Sequence, residues 1–139
     1  MRKNQLFPEV FEVPHTADAA IDVFGRSLDE MFKNAAFGML SIMEINIQEE
    51  DLGYENLVLI EDDIESLLIA FLSEILFMVE QKRHYPSNVQ VKISGFQLKS
   101  TFQSFPINFY DKEIKAVTFN QLNIMHVNDR FQTRIVFDI

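Results

Sequence analysis

Ser27-Leu28-Asp29-Glu30-Met31-Phe32 opens the segment that decides the fold. Ser27 followed three residues later by Glu30 is a capping box, in which hydroxyl and carboxylate serve the orphan N–H groups of a first helical turn reciprocally. Behind it Leu28, Met31, Phe32, Ala35, Ala36, Met39, Leu40 and Met43 recur at three- and four-residue intervals, which makes one face of a helix apolar. A methionine-rich face can serve a cofactor or a groove, but a stripe this regular reads as ordinary core. The signature returns at Asp62-Asp63-Ile64-Glu65. There the aspartates also suit the positive end of the helix dipole, and they read as caps rather than as a metal site. Ile64, Leu67, Leu68, Phe71, Leu72, Ile75, Leu76 and Val79 carry this second helix to about Glu80.

Outside the two helices the period changes. Residues 7–13 alternate weakly and suit a short edge strand, because Pro8 removes a ladder donor. Ala20 to Phe24 form a second strand that stops at Gly25. Residues 46–56, with Glu49-Glu50-Asp51 and Gly53, read as a solvated loop, and Leu57 to Ile60 as a strand. From Val89 onward alternation dominates: Val89, Val91 and Ile93 start a strand in which Gly95 marks a bulge or bend before Leu98. Thr101 to Phe105 continue or pair with it, and Pro106 ends it. Residues 114–119 alternate, Leu122, Ile124 and Val127 follow as a strand, and Asn128-Asp129 read as a turn. Phe131, Thr133, Ile135 and Phe137 then face opposite Gln132, Arg134, Val136 and Asp138. Each helix has one apolar face and must cover a sheet. The expected architecture is α+β: two amphipathic helices packed on a mainly antiparallel sheet, as one domain over residues 1–139.

Composition narrows the function classes. With 47% hydrophobic residues and only four Gly and four Pro, the 139-residue chain is an ordered domain able to bury about two-thirds of its unfolded surface. The absence of cysteine excludes disulfides, zinc–thiolate sites and cysteine nucleophiles. Met1 to Gln5 carry basic residues with no apolar stretch behind them, so they are no signal peptide. No run approaches the roughly 18 apolar residues of a membrane span, so a cytoplasmic protein is expected. A net charge of −9, with no basic cluster longer than Lys82-Arg83, argues against direct nucleic-acid binding. It suits a basic protein partner or a cation better than a nucleic acid, but on charge alone its first reading is that it keeps the chain soluble.

No Gly-rich phosphate loop, His-x-x-x-His or nucleophile elbow is present. Of the three histidines, His84 beside Tyr85-Pro86 reads as a surface-loop residue and His126 as a strand residue on a sheet face. His15, near a strand start, reads as structural before it reads as a catalytic base. Two carboxylate positions stand out. Asp18 lies in a short polar segment just ahead of a strand, and Asp138 adjoins the α-carboxylate of Ile139 at the end of another. Brought together, these three carboxylates would repel unless a proton or cation lay between them.

Several stretches together resemble the archease family over nearly the full length. His15-Thr16-Ala17-Asp18 before an alternating strand and a Gly looks like its opening. Leu28-Asp29-Glu30-Met31-Phe32 and Asn34-Ala35-Ala36 are similar to its first helix. The second helix is matched by Asp63-Ile64-Glu65-Ser66-Leu67-Leu68 with Leu72-Ser73-Glu74-Ile75-Leu76. Glu113-Ile114-Lys115-Ala116-Val117-Thr118-Phe119 resembles its Lys-Ala-x-Thr-aromatic strand, and Val136-Phe137-Asp138-Ile139 its ending. The resemblance implies a non-enzymatic activator of the RtcB-type RNA-splicing ligase, which joins RNA ends using GTP and a metal through a guanylylated histidine. It would promote guanylylation and multiple turnover and broaden nucleotide use. Carried over by position, the family's calcium-type site would be Asp18, Asp138 and the C-terminal carboxylate of Ile139, with His15, Lys115, Asn108 and Asn120 in support. Oxygen-only donors favour Ca²⁺, or Mg²⁺, over zinc, and three protein groups leave positions for water.

The pattern departs at two places: Asn120 follows the aromatic where the family has His, and Asn108 falls at a second family His. The two changes would be coupled if these asparagines face and hydrogen-bond one another. Two further readings stand beside the ligase activator. One is a chaperone-like interaction module whose carboxylates are only structural. The other is a small metal-dependent hydrolase using Asp18 and Asp138.

Overall fold

The computed structural model describes residues 4–5, 9–13 and 18–139. Both helices begin at side-chain caps. Helix α1, Leu28–Met43, starts at Ser27, whose hydroxyl accepts the Glu30 N–H at 3.1 Å. The Glu30 carboxylate reaches back to the Arg26 N–H at 3.3 Å, one residue further than the reciprocal box requires. Helix α2, Ile64–Phe77, is capped by Asp63, which accepts the Ser66 N–H at 2.8 Å. The cap therefore falls one residue later than the Asp62-to-Glu65 box. Glu65 is left to accept the Ile124 N–H at 3.1 Å, tying a distant loop to the helix start. A π-helical turn, Met78–Lys82, prolongs α2 until Arg83 adopts a left-handed conformation.

The strands form two antiparallel sheets around the helices, where the sequence reading expected one. The first sheet takes both chain ends: β1 Asn4–Gln5, β2 Val10–Val13, β3 Asp18–Gly25, β8 Ala116–Thr118, β9 Met125–Val127 and β10 Arg130–Asp138. At its centre β3 pairs with β10, and β8 and β9 pair with the other edge of β10. The second sheet comprises β4 Ile45–Ile47, β5 Tyr54–Ile60, β6 His84–Ser94 and β7 Gln97–Tyr110. β7 runs through its middle, with β6 on one side and β5 and β4 on the other. Helix α1 packs on β3 and β6, and α2 on β8 and β5, so both helices touch both sheets. This explains why α2 is apolar nearly all round and why α1 buries ten of its residues, Asn34 included. Asn34 satisfies its amide by donating to the Phe24 carbonyl at 2.8 Å. Val10, Ile21, Phe32, Phe71, Phe102 and Phe137 belong to one buried apolar cluster. No helix among the described residues is long and apolar enough to cross a membrane.

Four local readings change. The loop expected over residues 46–56 contains β4, and β5 starts earlier, at Tyr54. β6 begins at His84 rather than Val89, because a bulge between Ser87 and Gln90 lets the strand pass the Pro86 region before it alternates cleanly. His84 is thus a strand residue, not a loop residue. Gly95, at φ +60, is part of the hairpin turn joining β6 to β7, not a bend within one strand. Pro106 does not end β7. Its carbonyl accepts Gln48 N–H at 2.8 Å on the side where the β4 register shifts, so its missing donor falls at a break already in the ladder. The Asn128-Asp129 turn is present with both residues at positive φ, as a two-residue hairpin requires.

Gly25 is needed for space. A Cβ there would lie 2.4 Å from the Met31 backbone nitrogen and 2.7 Å from its Cα, and a helix backbone cannot swing aside as a side-chain end can. Gly25→Ala is expected to cost about 1–3 kcal/mol, measured by urea unfolding, through displacement of the α1 start.

Candidate functional site

The β3–β10 register brings the two singled-out aspartates together. Asp18 is the direct partner of Asp138, in the last rung before β10 ends. Residues directly opposite in an antiparallel pair project to the same face with Cβ atoms about 4.5–5.5 Å apart. On its other side Asp138 pairs with Ala116, and its carbonyl accepts the Lys115 N–H at 2.7 Å. The backbone carrying Asp138 is therefore held from both flanks, with half-exposed Ile139 immediately beyond it.

Among the described residues no arginine is bonded to this pair. Four residues along the same face, roughly 13 Å at strand rise, Arg134 grips Asp22 with two hydrogen bonds of 2.7 and 3.1 Å. Asp22 is buried, and its carboxylate holds the Arg134 guanidinium above the ordinary arginine range. Arg134 is thus committed within the sheet, in the wall of a groove of about 470 Å³ that Phe24, Asn123 and Gln132 also line.

Lys115 also lines a smaller cavity, of about 240 Å³, with Ser73, Leu76, Phe77, Glu80, Ala116 and Val117. Glu80, on the π-helical turn, went unnoticed in the sequence because it looks like the polar end of an apolar helix. Its Oε1 is buried without a hydrogen-bond partner, and burial, reinforced by the Glu113 charge, raises its pKa. A carboxyl whose folded pKa exceeds its unfolded value near 4.5 binds more protons folded than unfolded between those values, so stability falls as pH rises through that window. Glu80→Gln is expected to raise the melting temperature at pH 7 and to flatten its fall as pH rises above 4.5. Melting curves across that range check it.

The remaining candidates are not gathered here. His15 lies outside the described residues. Asn108 and Asn120 do not face one another, as their proposed coupling required. Asn108, on β7 of the second sheet, donates its amide to Asn46 Oδ1 at 2.8 Å, while Asn120 follows β8 of the first and donates its N–H to Thr118 Oγ1 at 3.3 Å. Two residues that would both line one site are instead split between sheets. His84 Nδ1 stands 3.5 Å from Glu55 Oε2, and Ser104 donates its hydroxyl to that same oxygen. The Ser104 bond, ahead of the His84 contact, holds the Glu55 carboxyl below its ordinary pKa. Because the serine donates to the carboxylate and not to the imidazole, this trio links β5, β6 and β7 and offers no activated nucleophile. His126 stacks on Phe131 at 4.3 Å, on the sheet face expected of it. Among the described residues no three His, Cys, Asp or Glu side chains assemble to hold a metal. The candidate set has two side-chain carboxylates and takes its third from the main chain.

Residues 11–139 match the model of the Archease protein family. The chain belongs to the archease family. Protein archease of Methanosarcina mazei is 31% identical over 140 residues, covering 90% of this chain and 92% of that one. The crystal structure of an archease from Thermotoga maritima, described as a possible chaperone, superposes with a TM-score of 0.68 at 25% identity and covers 98% of both chains. The solution structure of Methanobacterium thermoautotrophicum protein 1598 gives 0.67 at 25%, covering 94% of this chain and 97% of its own. These archease structures share the arrangement of two helices against antiparallel sheets. In this archease-family chain the Lys-Ala-x-Thr-aromatic run, Lys115 to Phe119, includes strand β8, so it abuts the Asp138 end of β10.

Proposed function

We propose that this archease-family chain is a non-enzymatic activator of an RtcB-type RNA-splicing ligase, promoting guanylylation and multiple turnover in tRNA splicing and RNA repair. Asp18, Asp138 and the terminal carboxylate of Ile139 would hold a divalent cation, Ca²⁺ before Mg²⁺. The supporting observation is the Asp18–Asp138 rung: two carboxylates set opposite one another, with Arg134, four residues along the same face, engaged by Asp22. Hard oxygen donors with room for water suit a weakly held, exchangeable ion, which would supply the positive charge the pair lacks. The chain's own residues hold the pair rigid through the β3–β10–β8 ladder and present it at the sheet's end, where a partner's active-site region can receive it. Catalysis stays with the ligase.

The test is co-incubation with the RtcB-type ligase of the same genome. Multiple ligation events per enzyme with the chain present, and a single round without it, are expected. A chaperone-like role has one direct support, the description of the Thermotoga maritima archease as a possible chaperone. It would instead raise the amount of soluble active ligase while leaving turnover per active enzyme unchanged.

A further inference from the structure

We propose that the free edge of β5 docks an extended segment of a protein partner, one whose apolar residues alternate along the strand and whose ends carry lysine or arginine. The inference does not depend on the carboxylate pair, which lies on the other sheet. β5 is bonded to β7 alone, and among the described residues no strand covers its other edge. An edge of this kind presents a row of unpaired backbone donors and acceptors, and natural sheets blunt it with lysine, proline, bulges or shortness. β5 has none of these four guards. Its seven residues contain no Pro, Gly or Lys, and its register with β7 is unbroken from Tyr54 to Ile60. The inward-pointing charge that edges also use is present once, at Glu55, where Ser104 and His84 engage it. The outward row, Tyr54, Asn56, Val58 and Ile60, is exposed and apolar but for Asn56: Tyr54 is 71% exposed, Val58 55% and Ile60 68%.

Charge selects the occupant. The strand is framed by Glu49-Glu50-Asp51 on one side and Glu61-Asp62-Asp63 on the other, all exposed. A second copy pairing antiparallel about Leu57 would set one acidic run against the other at both ends, and parallel pairing would align like with like. Each copy also carries a net −9, so the same edge that invites a strand repels its own kind. Lys99 is opposite Val58 and Lys92 opposite Lys99, one and two strands inward, so a strand arriving at the free edge meets the acidic runs first. Backbone pairing would supply affinity, the Val58–Ile60 row the side-chain fit, and the flanks the selection for basic ends.

The probe is a labelled synthetic peptide of alternating valine and threonine with a lysine pair at each end, titrated against the whole chain. It is expected to bind with amide shifts confined to β5 and the two acidic runs. Binding should weaken at least about tenfold when glutamates replace the peptide's lysines, or when Val58→Lys and Ile60→Lys are introduced together. Glu49→Lys with Glu50→Lys, in an exposed loop where neither side chain has a bonded partner among the described residues, gives the same loss should the strand variant fold poorly. Four results would overturn the inference: no binding, equal binding of the glutamate peptide, shifts centred elsewhere, or sedimentation showing dimers that Val58→Lys abolishes.

Discussion

Asp138→Ala or Asp18→Ala is expected to return the partner ligase to its unassisted turnover while leaving the chain folded. The two effects separate because of where these residues sit. The Asp18–Asp138 rung closes the β3–β10 ladder at the sheet's end, so neither carboxylate fills core volume. Like charges placed directly opposite across a ladder are destabilising, so removing one, with no cation present, leaves the melting temperature unchanged or slightly raised. Cation affinity should fall by at least about 10–100-fold, since even supporting groups around a metal are worth that much. A variant that is no less stable and yet inert identifies a functional carboxylate rather than a structural one. Asp22→Asn supplies the contrast from the same sheet face. It breaks the bidentate bond to Arg134 and should cost about 1.5–3 kcal/mol of stability without removing stimulation. If Asp138→Ala stimulated the ligase as well as the unaltered chain, the proposed role of the pair would fail.

The largest loss of stability is expected for Phe71→Ala. Phe71 lies on α2, fully buried, with its ring centroid 6.1 Å from that of Phe32 on α1. Both rings belong to the cluster shared by the helices and the two sheets, so neither wall of the resulting cavity can close without moving a whole layer. Truncating a buried aromatic here should cost about 3–5 kcal/mol, or roughly 10–20 °C in melting temperature for a chain of this size. Phe109→Ala, at a half-exposed position on β7, should stay within about 0.5 kcal/mol. Urea unfolding of both variants decides it, and a small Phe71 effect would mean that the helices do not share one tightly packed layer.

The helices were legible because capping and a 3.6-residue period are local, and Ser27 and the stripe behind it carried the first without help. At the second start, two adjacent aspartates offered two caps. Only tertiary context decided between them, because Glu65 was drawn away to Ile124. The strands were legible by alternation from Val89 onward, but their division into two sheets was not. Nothing local distinguishes β7, which pairs with β4, β5 and β6, from β10, which pairs with β3, β8 and β9. Proline and glycine misled where pairing overrode them: Pro106 sits at a ladder break, and Gly95 turns a hairpin. Of the candidate site, the meeting of Asp18 with Asp138 could be anticipated from the family resemblance and from two strands that alternate in phase. The Asp22–Arg134 bond could not, because residues 112 apart meet only once the register is known. Nor could the buried oxygen of Glu80, which shares a cavity with Lys115, Ala116 and Val117, residues distant in sequence.

The most direct measurement of the central claim is calorimetric titration of the metal-free chain with Ca²⁺, repeated on Asp18→Ala and Asp138→Ala. One binding event per chain is expected, weaker with Mg²⁺ and absent from both variants, with a matching rise in melting temperature only for the unaltered chain. Ca²⁺ binding that survives undiminished in either variant, or no binding of either ion to the unaltered chain, would contradict it.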